Sequence, residues 1–347
     1  MADSKSFSIE QVMLRAWYAQ RSWIVLLVPL SWLFRLAAKL RKSLLQALYQ
    51  GRHYQLPVAV IGNISLGGSG KTPLLIALVK ALSERGYSAA VISRGYGSQG
   101  GNYPLRVADC TPVQQCGDEP LLIKRKLAGY SSPVVVDANR RRAVAHIINH
   151  GHCDLVISDD GLQHYALHRD IEIAVIDGSR GFGNGQCLPA GPLREPISRL
   201  MDSDFVMVNG GFERCENWPT TYQFELRPVA FRHLASGATV EPNNWALSKK
   251  VHGVAAIGNP QRFAASLESL GLEVILHAAN DHQHLTSDQL EFDDGLPVII
   301  TEKDAVKLAE TDNDNLWVLD VDIDLPSEFV DQFLAALYQP PTKRVEI

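Results

Sequence analysis

No C-x-x-C pair occurs in this sequence, and its five cysteines (Cys110, Cys116, Cys153, Cys187 and Cys215) are an odd number. Neither a disulfide framework nor a zinc ribbon is indicated, and a reducing cytosol fits best. Internal repeats and low-complexity tracts are absent too. The apolar run Ser22–Phe34 holds thirteen uncharged residues, short of the ~20 that a comfortable transmembrane helix needs. No small-residue cleavage site follows it, and basic residues continue to Arg52, which argues against a signal peptide. What is present is globular: 347 residues, 46% hydrophobic and 20% charged, enough for two or three lobes that bury their own cores.

Positive charge is unevenly spread. Residues 1–55 carry Lys5, Arg15, Arg21, Arg35, Lys39, Arg41, Lys42 and Arg52 against Asp3 and Glu10, a local charge of +6. The net charge of −5 therefore leaves −11 for the rest. A basic end on an acidic body points to a partner for that end alone, and an anionic membrane surface fits. Trp17, Trp23, Trp32 and Phe34 lie in the same segment. An interfacial helix would seat these rings in the acyl boundary while Arg and Lys reach the head groups. The alternative is a hydrophobic helix packed on its own domain.

Beyond residue 55, strands and helices alternate. Pro57–Gly62, Ala89–Ser93, Pro133–Asp137, Asp154–Ser158, Glu172–Asp177 and Asp204–Asn209 read as uninterrupted Val/Ile strands. Such runs indicate a parallel sheet covered on both faces. Lys71–Arg85 is helical, with Leu74, Leu75, Leu78 and Leu82 at helical spacing. From about 210 to 250 the pattern breaks into polar and aromatic pieces such as Tyr222–Leu226, which suggests antiparallel strands or an excursion. Alternation resumes at Gly253–Gly258, Pro260–Leu270, Glu273–Leu276, Pro297–Thr301 and Leu316–Val321. The expected class is α/β, with an N-terminal membrane-associated helical segment (1–55), a P-loop NTPase-type parallel-sheet core (56–230) and a smaller C-terminal α/β lobe (231–347).

The most specific local signal follows the first strand. Ser65, Leu66, Gly67, Gly68, Ser69, Gly70, Lys71 and Thr72 form a glycine-rich turn between that strand and an amphipathic helix, the context a phosphate-binding loop requires. Glycines let backbone N–H groups approach phosphates, and the helix N-terminus adds its positive dipole end. Lys71 would reach the β- and γ-phosphates, and Thr72 would ligate Mg²⁺. Ser65 stands where G-x-x-x-x-G-K-[ST] has its first glycine. Asp159 and Asp160, directly after a neighbouring strand, suit a metal-holding acid pair; a turn capping the strand is the alternative. Thr301-Glu302-Lys303-Asp304 does not match the guanine-reading [NT]-K-x-D, so ATP is the default nucleotide.

Several other polar residues admit two readings each. Asp118 and Glu119 before Pro120 could open a helix, with Asp118 as N-cap. His282 and His284 could be surface loop residues. His146, His150 and His152 could suggest zinc, but no acid or fourth ligand follows closely, and an exposed helix end fits better. Arg140–Arg141–Arg142 could bind a phosphate or simply start a solvated helix.

Seven stretches together resemble one family. GNISLGGSGKTP (62–73), SRGYG (93–97), GDEP (117–120), SDDGLQH (158–164), PAGPLREP (189–196), NDHQHL (280–285) and TEKDAVK (301–307) are similar, in order, to the motifs of the tetraacyldisaccharide 4'-kinases, or lipid A 4'-kinases. Ser65 is similar to that family's own loop. The resemblance implies transfer of the ATP γ-phosphate to the 4'-hydroxyl of a tetraacylated glucosamine disaccharide 1-phosphate, a membrane lipid. It implies a place at the cytoplasmic face of a Gram-negative inner membrane, with ATP and Mg²⁺ and with no nucleic-acid or obligate protein partner. Carried over by motif, Lys71 and Thr72 serve phosphate and magnesium, Asp118 is a catalytic carboxylate and His282 its histidine partner. Asp159, Asp160 and Glu119 surround the metal, and Tyr96, Arg140, Arg141, Gln163, His164 and Glu195 fall within family motifs.

The chemistry is consistent with that assignment. A sugar hydroxyl loses its proton as it attacks, so an acid–base group is needed near the γ-phosphate. Two other functions fit a phosphate loop on a membrane-associated chain: an ATPase that drives conformational change without an acceptor, and a nucleotide-binding module without chemistry.

Overall fold

A computed structural model describes residues 9–19, 21–49, 53–211, 218–308 and 313–338. Lys5, Arg52 and Cys215 lie outside the described residues, as do both ends of the chain.

The N-terminal segment is helical. α1 (Ile9–Tyr18) leads through a 3-10 turn, Ser22–Leu27, into α2 (Val28–Tyr49). The helical stretch Ser22–Tyr49 has 28 residues and is long and apolar enough to cross a membrane by length and composition. It is longer than the thirteen-residue run because lone basic residues (Arg35, Lys39, Arg41, Lys42) interrupt the charge-free stretch without ending the helix. Leu26, Leu30, Leu33, Leu36, Leu40, Leu44 and Leu48 recur three or four residues apart and are all more than half exposed, one apolar stripe. The opposite face is anchored to the body. Ser31 Oγ donates to Cys187 O (2.7 Å) and accepts from Ala190 N (3.0 Å), and Lys42 pairs with Asp202 at 2.9 Å. Trp23 and Trp32 are exposed, but Trp17 is buried and donates to Pro189 O. Trp17 therefore serves the packing of α1 rather than an acyl boundary.

The Val/Ile runs build one sheet. Its strands are β1 (Val58–Gly62), β2 (Ala89–Ser93), β3 (Leu105–Arg106), β4 (Val134–Val136), β5 (Leu155–Ser158), β6 (Ile171–Asp177), β7 (Phe205–Asn209) and β8 (Thr220–Phe224). They lie in the order β3-β4-β2-β5-β1-β6-β7-β8, all parallel except β3 with β4. Alternate residues of β1 enter different cores: Ala59 and Ile61 pack with α3 (Lys71–Glu84), whereas Val58 and Val60 pack on the other face. That double burial is why these strands lack polar alternation. β8, in the stretch that suggests antiparallel strands or an excursion, instead joins β7 in parallel. At the sheet edge it buries Phe224 while its other positions stay partly wet, so it reads as polar and aromatic.

Three further helices pack on this sheet: α4 (Val113–Cys116), α5 (Asp118–Lys126) and α6 (Arg140–His150). A second sheet follows, of β9 (Leu226–His233), β10 (Thr239–Val240), β11 (Lys250–Ala255), β12 (Glu273–Ala278), β13 (Val298–Thr301) and β14 (Leu316–Ile323), in the order β10-β9-β14-β13-β11-β12. Here β9 runs antiparallel to β14 and β10, and the other pairs are parallel. The boundary expected at residue 230 falls inside β9. The second lobe also carries α7 (Pro260–Ser269) and the one-turn α8 (Glu302–Ala305). The last helix, α9 (Ser327–Tyr338), returns to the first sheet, where Phe329, Val330 and Phe333 join the core of Leu74, Leu78 and Leu82. The described part of the second lobe is therefore not a separate packing unit, because its last helix shares a core with α3 and β1.

Phe329 is fully buried against Phe205 and Tyr222. Phe329→Ala is expected to destabilise the fold by about 3–5 kcal/mol through the cavity it leaves, as read from denaturant unfolding.

Candidate active site

Parallel strands bring their carboxyl ends to one edge of the first sheet, and ligands of open α/β sheets bind there. The second lobe covers that edge. Between them lies a cavity of about 1180 Å³ lined by Leu66–Pro73, by Glu119, Asp159 and Asp160, and by His282 and Lys303 from the second lobe. Leu14, Trp17, Phe34, Ala37 and Arg41 of the N-terminal helices form another wall. Phosphate loop, acids and the face of α2 thus open into one space.

The loop from Asn63 to Thr72 joins β1 to α3. Ser65 forms an antiparallel bridge with Leu193, and Leu66 N donates to Pro192 O at 2.8 Å. Positive φ is confined to Gly67 and Gly70 within this loop, so the missing glycine at position 65 costs nothing. Gly70 has φ +90°, and a Cβ there would lie 2.4 Å from Asn209 Nδ2, so no other residue fits.

Beneath the loop sit the acids. Lys71 Nζ lies 3.6 Å from Asp160 Oδ1, and Arg194 Nη1 donates to Asp160 Oδ2 at 3.1 Å. Burial alone would raise the Asp160 pKa, but Lys71 and Arg194 outweigh it and bring it down to about 2. Asp159 is the opposite case. Its burial, together with the charges of Glu119 and Asp160, pushes its pKa up to about 7. Its Oδ1 is buried without a hydrogen-bond partner. A buried, charge-crowded carboxylate with an unsatisfied oxygen is a donor set that suits a divalent cation. Thr72 and Glu119 line the same cavity. Asp160 is already engaged by its two cations, so Asp159 is the acid whose oxygen is open to a metal.

Asp118 and His282 come from different lobes. Gly117 is the N-cap of α5 and Asp118 its first residue, so Asp118 is not the cap. Its Oδ1 accepts from Glu119 N (2.9 Å) and its Oδ2 faces His282 Nδ1 (3.0 Å). His282 has φ +62°, an uncommon conformation for a non-glycine residue. Lys303 Nζ lies 3.2 Å from His282 Nε2, and also contacts Glu119 Oε1 (3.0 Å) and Asp281 Oδ1 (3.4 Å). An ammonium only donates, so Nε2 accepts and the ring proton sits on Nδ1, pointing at Asp118. Burial would raise the Asp118 pKa, but the His282 hydrogen bond and the Lys303 charge hold it below the usual carboxylate range. The same hydrogen bond raises the His282 pKa. Tyr96 lies beside the pair, its ring 4.9 Å from that of His282.

The remaining candidates divide. Gln163 and Glu195 line the cavity but work mainly below it: Gln163 Nε2 donates to Asn63 O (3.0 Å) and Glu195 Oε1 (2.8 Å), supporting the start of the loop. His164 also faces the cavity; burial and the surrounding Arg140, Arg169 and Arg41 push its pKa down to about 4. The arginine triplet is no open phosphate cradle. Arg140 is buried and donates to Ser158 Oγ (3.2 Å) and Asp159 O (2.5 Å), bracing the acid loop. Arg141 lies over the Tyr49 ring at 4.1 Å, outside the cavity lining, and Arg142 is paired with Asp137. His146 and His150 stack on each other at the end of α6. Among the described residues, the His/carboxylate group close enough to hold a metal is His53, His168 and Asp170 instead, before the first residues of β1 and β6, away from the loop.

Residue-by-residue reading missed Lys303, Arg194 and Asn209. Lys303 falls in the failed guanine motif and in TEKDAVK, and Arg194 in PAGPLREP, with no role attached to either by its neighbours. Asn209 ends β7 with no local signal at all; it donates to Ser69 O at 3.1 Å.

The family model described as tetraacyldisaccharide-1-P 4'-kinase matches residues 23–338. The tetraacyldisaccharide 4'-kinase of Nitrosococcus oceani is 44% identical over 339 residues, 97% of each chain. That of Alcanivorax borkumensis is 44% identical over 328 residues, 94% of this chain and 97% of its own. A crystal structure of LpxK from Aquifex aeolicus in complex with ATP has the same fold, with a TM-score of 0.73, 23% identity and coverage of 91% of this chain and 99% of that one. With motifs, fold and relatives in agreement over nearly the whole length, the chain belongs to the tetraacyldisaccharide-1-P 4'-kinase family.

Proposed function

We propose that this protein transfers the γ-phosphate of ATP to the 4'-hydroxyl of a tetraacylated glucosamine disaccharide 1-phosphate, a step of lipid A biosynthesis, at the cytoplasmic face of the inner membrane. One observation carries the reading: the phosphate loop and His282, which is hydrogen-bonded to the buried Asp118 behind it, share one cavity with a wall of α2, whose outer stripe is exposed leucine. A soluble nucleotide and a lipid in the membrane would meet there.

The loop amides and Lys71 would hold the β- and γ-phosphates. Asp118, kept ionised by the Nδ1–H of His282, would take the acceptor proton. The sugar oxygen then bonds to the γ-phosphorus as the bond to the bridging oxygen breaks, and ADP leaves. Lys303 fixes the His282 tautomer from the far side. Asp159, Thr72 and Glu119 would hold Mg²⁺, which when bound neutralises charge on the transferring phosphates. Arg41 and Arg94 line the same cavity and would give it a cationic side suited to the acceptor's own phosphate. The leucine stripe and the basic residues of α2 would lie in the membrane surface.

Radiolabelled γ-phosphate transfer from ATP to the purified disaccharide 1-phosphate tests this directly, with label expected on the 4'-hydroxyl. Lys71→Ala and Asp118→Ala are expected to abolish transfer while the protein stays folded; wild-type rates from either would sink the mechanism. Deleting residues 1–40 should reduce co-sedimentation with anionic vesicles, and full co-sedimentation would refute the role of α2. Stability should also depend on pH through Asp159. Asp159 binds its proton more tightly folded than unfolded, so in metal-free protein it subtracts stability as pH rises from about 4 through about 7. Asp159→Asn should therefore be more stable than wild type at pH 8 without metal, with the gap vanishing near pH 4 in thermal melts. Added Mg²⁺ should raise the melting temperature of the wild type more than that of the variant.

A further inference from the structure

The carbonyls of the phosphate loop are pinned one by one. Asn63 Nδ2 donates to Gly67 O (3.3 Å), Arg180 Nη2 to Gly68 O (2.9 Å) and Asn209 Nδ2 to Ser69 O (3.1 Å). In a trans peptide the C=O of one residue and the N–H of the next point in opposite directions. Holding these three oxygens outward turns the amides of Gly68, Ser69 and Gly70 toward the space where phosphates bind, a backbone nest for an anion.

Arg180 differs from the two asparagines in what stands behind it. Its Nε donates to Asp177 Oδ2 at 2.9 Å, and its Nη1 donates to Gly258 O at 2.9 Å, in the turn between β11 and α7 of the second lobe. Tyr18 of α1 lies under the guanidinium, 5.6 Å from ring centre to Cζ. Asp177 is buried at the end of β6 and also accepts from Asn259 Nδ2 (3.0 Å), Arg262 Nη2 (2.7 Å) and Ser179 Oγ (2.6 Å). Asn259 and Arg262 open α7, so the second lobe is clasped to the carboxylate that orients Arg180. Gly258 itself presses on the loop: a Cβ there would lie 2.4 Å from Gly68 N. One guanidinium therefore joins β6, the crest of the phosphate loop and the second lobe.

We propose that Arg180, anchored by Asp177, is a positioning residue of the nucleotide site: it holds the Gly68 carbonyl outward and ties the loop crest to the second lobe through Gly258. The inference rests on the reading of this loop as the holder of the ATP phosphates. It assigns Arg180 no contact with the reacting atoms. Its effect falls on nucleotide affinity, through the shape of the nest, and not on the acceptor.

The test uses the full chain with Arg180→Ala, Arg180→Lys and Gly258→Ala. The affinity for trinitrophenyl-ATP, the separate KM values for ATP and acceptor, and nucleotide-free thermal melts are measured. Arg180→Ala is expected to weaken analogue binding and raise the ATP KM about tenfold, the factor expected on losing a charge-assisted hydrogen bond, with the acceptor KM unchanged. Arg180→Lys should recover part of this, because an ammonium can serve one carbonyl but not the whole junction. Gly258→Ala leaves every charge in place and should weaken ATP binding in the same direction. Unchanged analogue affinity in Arg180→Ala overturns the inference, as does a parallel rise of both KM values with a matching loss of melting temperature. Should Arg180→Ala fail to fold, unchanged affinity in both other variants overturns it equally. Absence of analogue binding by the wild type would instead overturn the nucleotide reading, and this inference with it.

Discussion

A phosphate loop is a strip of backbone forced to show its amides to the ligand, and it keeps that shape only if its carbonyls have partners on the other side. Here those partners come from the ends of three adjacent strands. Asn63 follows β1, Arg180 follows β6 and Asn209 ends β7. The parallel sheet therefore does more than carry the loop: its adjacent strand ends supply the side chains that shape it. Much else follows from the same geometry. Asp160 reaches Lys71 because β5 is the other neighbour of β1.

The second constraint is electrostatic and lies between the lobes. Asp118–His282, Glu119–Lys303 and Asp177–Arg262 each join a residue of the first sheet's side to one of the second lobe. Buried or half-buried pairs of this kind add little net stability, but breaking one leaves an uncompensated charge, so they favour a single relative placement of the lobes. The candidate base pair exists only in that placement. Asp159 is the contrasting case, a carboxylate crowded by like charge whose strain a cation would relieve.

The N-terminal helix adds a third condition. It is fixed to the body through Ser31, Trp17 and Lys42, yet leaves a leucine stripe exposed. One face lines the cavity and another offers exposed apolar surface.

Local order is what the sequence by itself determined. Val/Ile runs bounded by turns fix doubly covered strands, and Gly67–Thr72 between strand and helix fixes a phosphate loop, because both are written in neighbouring residues. GDEP and NDHQHL supplied Asp118 and His282 only through family resemblance, since nothing local joins residues 164 positions apart. The tertiary structure alone decided which charges matter. It withdrew Arg141 to the Tyr49 ring, turned Arg140 into a brace for the acid loop and sent α9 back to the first core. It brought in Lys303, Asn209 and Arg180, each an unremarkable polar residue in its own neighbourhood. Their roles depend on which strand ends lie side by side and on how the second lobe sits above them, and that is settled by burial across the whole fold rather than by any spacing along the chain.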